Sequence, residues 1–166
     1  MDLNLYQSGF VRRFHTHPTL GARGQTTGHH QWGVAALILG LHPNPPRELL
    51  SAALTHDVGE FVTGDRPYPF KRLYPEAEAF VSGYEAAARD DMIGPAHVWI
   101  NVRLSGRDRI WLDMADKLEC WLYVATVEPA LLKARDWGDY LDFVLDLAMQ
   151  LGVAVEVRAL VREAME

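Results

Sequence analysis

The chain has 166 residues, a hydrophobic fraction of 49%, a charged fraction of 23% and a formal net charge of −6. One domain spanning 1–166 is the expectation for that length, and the composition supports a real core, which excludes a disordered chain. The acidic balance argues against a broad grip on a nucleic acid polymer, which needs a basic face, but small phosphorylated ligands stay open. The single cysteine, Cys120, excludes an internal disulfide and a cysteine-rich zinc site. The opening MDLNLYQSGF lacks the regions of a secretory signal. No apolar run reaches the roughly 20 residues of a membrane span, so a soluble intracellular protein is expected.

Up to Thr27 the chain is rich in turn residues (Pro18, Gly21, Gly24) and reads as a short helix or extended arm followed by a loop. From Gly28 to Leu41, His30, Val34, Leu37, Ile38 and Leu41 recur at helical spacing on one face. His42-Pro43-Asn44-Pro45-Pro46 ends that helix. A second helix is predicted over Arg47–Glu60, with Leu49, Ala52, Ala53 and His56 on one stripe. Gly64–Pro69 reads as a turn-rich loop. Pro75 suits a helix start, and Glu76–Met92 follows, alanine-rich and charged, until Gly94-Pro95 breaks it. Ala96–Leu104 is open between a strand and a short helix. Arg107–Val127, Pro129–Leu151 and Val153–Glu166 read as helices, the last packing on the bundle or on a second subunit. Alternation of period two is almost absent elsewhere, so the predicted class is all-α. The tryptophans (Trp32, Trp99, Trp111, Trp121, Trp137) are expected in the core or an interface, and Cys120 as a small core residue.

The apolar stripes carry polar intruders. His30 and His56 fall on the apolar faces of their helices, with Asp57 beside His56. Asp116 neighbours Leu112, Cys120 and Tyr123 at i−4, i+4 and i+7. Buried charge is costly unless paired or bound to a metal, and two imidazoles with two carboxylates suit Zn, Mn, Fe or Co. The bland reading also fits: a hydrogen-bonded core histidine, and a solvated Asp116 beside the charged rail Arg109, Asp113 and Lys117. Spacing alone leaves both open.

The string His56-Asp57-Val58-Gly59-Glu60, followed by Thr63-Gly64-Asp65-Arg66-Pro67-Tyr68-Pro69 and Lys71, resembles the signature of the HD-domain phosphohydrolases. Upstream, Gly28-His29-His30 opens a helix as that superfamily's first metal histidine does. Downstream, Ala115-Asp116-Lys117-Leu118-Glu119 resembles its last metal-aspartate helix. The resemblance covers roughly Arg13 to Tyr123 and is nearest to the small bacterial 5′-deoxynucleotidases and the phage deoxynucleotide triphosphohydrolases. It implies a single all-α HD-domain bundle, with His30, His56, Asp57 and Asp116 as ligands of one divalent ion (Co, Mn, Zn or Mg). A two-metal site would need extra histidines between the HD pair and the last aspartate, where only His97 lies.

By the same resemblance Glu60 orients or deprotonates the attacking water, and Asp65 serves the leaving 5′-oxygen or the substrate. Arg13 and Lys71 match phosphate-contacting cations, Phe14 an aromatic that packs near the nucleoside, and Arg23 is a further candidate cation. The implied reaction is hydrolysis of the 5′-O–P bond of a 2′-deoxynucleotide, with monophosphates favoured and triphosphate release as the alternative. A non-catalytic metal and nucleotide sensor is the reading from another class, and the presence of Glu60 and Asp65 argues against it. A cyclic-nucleotide phosphodiesterase is disfavoured by the few histidines. A small-molecule partner, no nucleic acid polymer or membrane, a homodimer or higher assembly, and a cytoplasmic location in a bacterium or an infected host cell are further implied. His29 stands where the bacterial nucleotidases have an acidic residue, and His15 and His17 are additions in the Arg13–His30 loop, so the base is left open.

Overall fold

The computed structural model describes residues 2–94 and 104–166. Among these, helix is the only regular element besides one isolated antiparallel bridge between Arg12 and Thr26. Two short helices, α1 (Leu3–Ser8) and α2 (Leu20–Arg23), occupy the N-terminal arm. The remainder comprises α3 (Thr27–Leu41), α4 (Arg47–Ala53), α5 (Glu60–Thr63), α6 (Tyr68–Leu73), α7 (Pro75–Ile93), α8 (Gly106–Val127), a 3₁₀ turn (Pro129–Lys133), α9 (Arg135–Leu151) and α10 (Ala154–Ala164). The stretch 96–104, with His97 and Trp99, lies outside the described residues apart from Leu104.

Local signals place the two long helices that matter most. Thr26 caps α3, its hydroxyl accepting from the His29 N–H at 3.3 Å. The proline cluster after His42 then forces the chain out of the helix. Ser105 and Asp108 form a reciprocal capping box at the start of α8. α3 lies along α8, and α4, α9 and α10 close around them. Val34, Ile38, Leu49, Met114, Leu118 and Val144 are fully buried there, each worth roughly 1.5–3 kcal/mol of burial. A smaller cluster of Leu20, Tyr123 and Val124 takes in Phe14, Leu131 and Trp137. Of the tryptophans, Trp111 and Trp121 are buried while Trp32 is 66% exposed.

The arm is laid against the start of α3 by main-chain bonds. Arg13 N–H donates to Gln25 O at 3.0 Å, Thr27 N–H to Val11 O at 2.9 Å and Gly28 N–H to Gly9 O at 3.0 Å. Thr27 Oγ1 adds a bond to Ser8 O at 2.6 Å. This pairing carries Arg13 to the bundle.

Several element boundaries differ from expectation. The predicted helix Arg47–Glu60 ends at Ala53, and residues 54–59 form a run of turns before α5. The cause is packing: a Cβ built on Gly59 would overlap the Glu85 carbonyl of α7. The backbones therefore meet where a continued helix would stand. The turn-rich loop stops at Pro67, because Tyr68–Leu73 is helical with a proline in its first turn, so Lys71 sits on a helix. The predicted helix Pro129–Leu151 is broken at Ala134, whose extended backbone separates the 3₁₀ turn from α9. α7 buries only Met92. A polar clamp holds it instead: the Arg66 guanidinium donates to Glu78 at 2.7 and 2.8 Å and to Glu85 at 2.9 Å.

Candidate metal and phosphate site

α3 brings His30, the turns after α4 bring His56 and Asp57, and α8 brings Asp116. His30 Nε2 lies 2.9 Å from Asp116 Oδ1, 3.3 Å from His56 Nε2 and 3.6 Å from Asp57 Oδ2. His56 Nε2 lies 3.5 Å from Asp57 Oδ2 and 3.8 Å from Asp116 Oδ1. Donor atoms of His30, His56 and Asp116 all fall within 4.8 Å of one another. His30 is wholly buried, whereas the Asp57 and Asp116 side chains keep 22% and 31% of their surface. The cluster is therefore closed behind and open on its carboxylate side.

The histidines are aimed by their other nitrogens. His56 Nδ1 bonds to Ala53 O, the last residue of α4, at 2.9 Å. His30 Nδ1 bonds to Glu119, which is itself buried. Glu119 Oε1 accepts from Gln25 Nε2 at 2.8 Å, and Arg13 Nη1 lies 3.3 Å from Gln25 Oε1 and 3.5 Å from Glu119 Oε2. Lys117 Nζ stands 3.6 Å from the outer oxygen of Asp116 and also pairs with Asp113. Burial alone would lower the pKa of His56, but Asp57 and Asp116 override it and lift the imidazole to about 9. Burial likewise works to raise the Asp116 carboxyl, and the bonds from His30 and His56 hold it well below the usual range. The two imidazole nitrogens and Asp116 Oδ1, with Asp57 Oδ2 at 3.6 and 3.5 Å from the two nitrogens, are a donor set that fits one borderline divalent cation.

Beside this cluster lie polar atoms without partners among the described residues. Glu60 is 6% exposed, and its Oε2 is buried with no hydrogen bond. Burial, then the carboxylates of Asp57 and Asp65, push its pKa up to about 8. Arg13 Nε is likewise buried and unpartnered. Burial would ease its proton off, but Cys120, Asp57, Asp116 and Glu119 keep the guanidinium charged. Lys71 on α6 and Arg13 both act electrostatically on Glu60.

Asp65 does a further job that its sequence position did not disclose. Its Oδ2 accepts the Phe14 N–H at 2.8 Å, tying the motif loop to the arm. Phe14 sits at φ +56°, a left-handed backbone that a bulky residue rarely adopts. Its ring stacks on Tyr123 at 6.0 Å, and His29 meets Tyr123 edge-on at 5.9 Å. Arg23 is directed elsewhere: it pairs with Glu128 at 2.6 Å, at the end of α8. His17 Nδ1 accepts the Thr19 and Leu20 N–H groups and so stabilises the start of α2. Cys120 is buried, its thiol pushed up to about 11 by burial.

Glu119 and Gln25 went unassigned in the sequence. Glu119 carries a faint signal, since it stands three residues after Asp116 and shares its helix face. Gln25 carries none. An apolar groove of about 690 Å³ between α3, α8 and α10, lined by Trp32, Leu37, Leu122 and Leu160, meets this network at Glu119.

No family model matches the chain, and no curated protein matches it. Among solved structures it is similar to the cyanophage S-2L HD phosphohydrolase DatZ, bound to dA and one catalytic Zn2+ ion. The TM-score is 0.72 with 21% identity, over 98% of this chain and 95% of that one. This is the fold of an HD phosphohydrolase. The likeness runs nearly end to end, so it includes α9 and α10, beyond the stretch from Arg13 to Tyr123 that carries the sequence resemblance. Among the described residues no helix is long and apolar enough to cross a membrane.

Proposed function

We propose that the chain is a metal-dependent deoxynucleotide phosphohydrolase that cleaves the 5′-O–P bond of 2′-deoxynucleoside 5′-monophosphates, giving deoxynucleoside and phosphate. The observation that carries this is the convergence of the His30, His56, Asp57 and Asp116 donor atoms beside two buried polar atoms without partners, Glu60 Oε2 and Arg13 Nε. The neighbour with the same fold was solved with a deoxynucleoside and a catalytic zinc ion, which supports the class of ligand. A divalent ion held by these ligands supplies a Lewis acid that draws charge from a phosphoryl oxygen and makes a neighbouring water more acidic.

The chain's own groups do the rest. Glu60 Oε2 accepts from the attacking water and takes its proton. The water oxygen bonds to phosphorus as the bond to the 5′-oxygen breaks, and the proton taken up by Glu60 is returned through solvent to the leaving 5′-oxygen. Arg13 Nε and the Lys71 ammonium offset charge on the phosphoryl oxygens. Asp65 holds the arm with Oδ2 and offers Oδ1 to the leaving side. Phe14, backed by Tyr123, lies against the nucleoside.

Monophosphate is favoured because Arg23 is engaged by Glu128, and Lys117 by Asp113 and Asp116. Those pairings leave Arg13 and Lys71 to meet one phosphate rather than a chain of three. The test is a panel of deoxy- and ribonucleotide mono- and triphosphates with Mn, Co, Mg and Zn, reading phosphate and triphosphate separately. Phosphate from deoxynucleoside monophosphates is expected. Triphosphate release would move the assignment to a triphosphohydrolase, and silence across the panel would leave a metal and nucleotide sensor. An assembly of two or more copies belongs to the same proposal, and sedimentation velocity checks it.

A further inference from the structure

We propose that Glu119 is a positioning residue that joins the metal subsite to the phosphate subsite through one buried carboxylate. The proposal rests on the metal and phosphate reading above and extends it to a residue with no contact to either ligand. Glu119 Oε2 accepts from His30 Nδ1 and also lies 3.5 Å from Arg13 Nη1. Its other oxygen accepts from Gln25, whose own carbonyl oxygen receives the same Arg13 nitrogen at 3.3 Å. Arg13, Gln25 and Glu119 thus form a closed ring beneath His30, anchored to the main chain by the bond from Arg13 N–H to Gln25 O.

Two consequences follow from the ring. With an ion bound, in place of the bond from Nε2 to Asp116, a proton on His30 Nδ1 held by a carboxylate would leave Nε2 its lone pair, and Nε2 is the atom that faces His56, Asp57 and Asp116. On the arginine, the ring occupies Nη1 and leaves Nε without a partner. A single side chain therefore selects which atom of the histidine addresses the cation and which edge of the guanidinium addresses the anion. The neighbourhood is built for it: a Cβ added to Gly33 of α3 would stand 2.7 Å from Glu119 Cγ, so the bare backbone makes room for the carboxylate.

The probes are Zn2+ alone, inorganic phosphate, and the proton NMR signal of His30 Nδ1–H in the zinc-loaded protein. Glu119→Gln is expected to weaken zinc binding about 10–100-fold, to weaken phosphate binding at saturating zinc, and to shift the far-downfield Nδ1–H resonance upfield. Gly33→Ala, which displaces the carboxylate while keeping its charge, is expected to reproduce all three in milder form and decides the matter if Glu119→Gln does not fold. Zinc and phosphate affinities within twofold of wild type, with the His30 proton unmoved, would overturn the proposal. So would a loss of zinc affinity with phosphate binding at saturating zinc unchanged, since the joining would then be absent. A wild-type protein that binds no zinc would instead overturn the metal reading itself.

Discussion

Glu60 holds a carboxylate that is 6% exposed and has an oxygen without a partner among the described residues, and burial pushes its pKa up to about 8 from the usual 4.5. Replacing it by glutamine keeps the shape and removes the base. The expected outcome for Glu60→Gln is unchanged zinc content and nucleotide affinity with kcat down about 10²–10⁴-fold, as phosphate release will show. The same group makes a statement about stability. Between pH 4.5 and about 8 the folded, metal-free chain keeps a proton that the unfolded chain has released, so stability falls as pH rises through that window. Glutamine has no proton to lose. With metal chelated, the Tm of the variant relative to wild type should therefore be higher at pH 8 than at pH 5. At this scale the sequence was readable where a polar residue interrupts an apolar stripe: His30 repeats with Val34 and Ile38 and is buried with them. Glu119 was not, because on a helix as charged as α8 an acid at that spacing looks like part of the solvated rail. Arg23 was not legible in its pairing, because its partner, Glu128, is 105 residues away in sequence.

Among the elements, the contact between Gly59 and α7 decides the local geometry. The turns 54–59 carry His56 and Asp57, and α7 approaches them backbone to backbone at Glu85. A methyl group at Gly59 cannot be absorbed by a flexible side chain. Gly59→Ala is therefore expected to cost about 1–3 kcal/mol, a Tm drop on the order of 2–10 °C, together with reduced zinc binding, measured by calorimetry and metal titration. Helix existence was legible from periodicity and from proline punctuation, as α3 and α8 show. Helix ends were not. The break after Ala53 follows from where α7 lies, and the break at Ala134 from how the 3₁₀ turn packs on α8 and α9. Neither is written in local propensity.

For the molecule as a whole, the candidate ligands come from α3, from the turns after α4, and from α8, so a bound ion ties separate stretches of chain together. An ion that binds only the folded state at 100 times its Kd adds about 2.7 kcal/mol, which for a chain of this size raises Tm by roughly 5–10 °C. Differential scanning with added Zn2+ should show that rise, and a chelator should reverse it. The burial gradient across the cluster has its own consequence. With His30 sealed and Asp57 and Asp116 partly open, an ion would meet the carboxylates before it reached His30. On the proposed function a nucleotide would approach from the same side, since His30 behind the cluster is core. Ion and substrate would then share one threshold, and a phosphate lingering there after turnover would lock the ion in behind it.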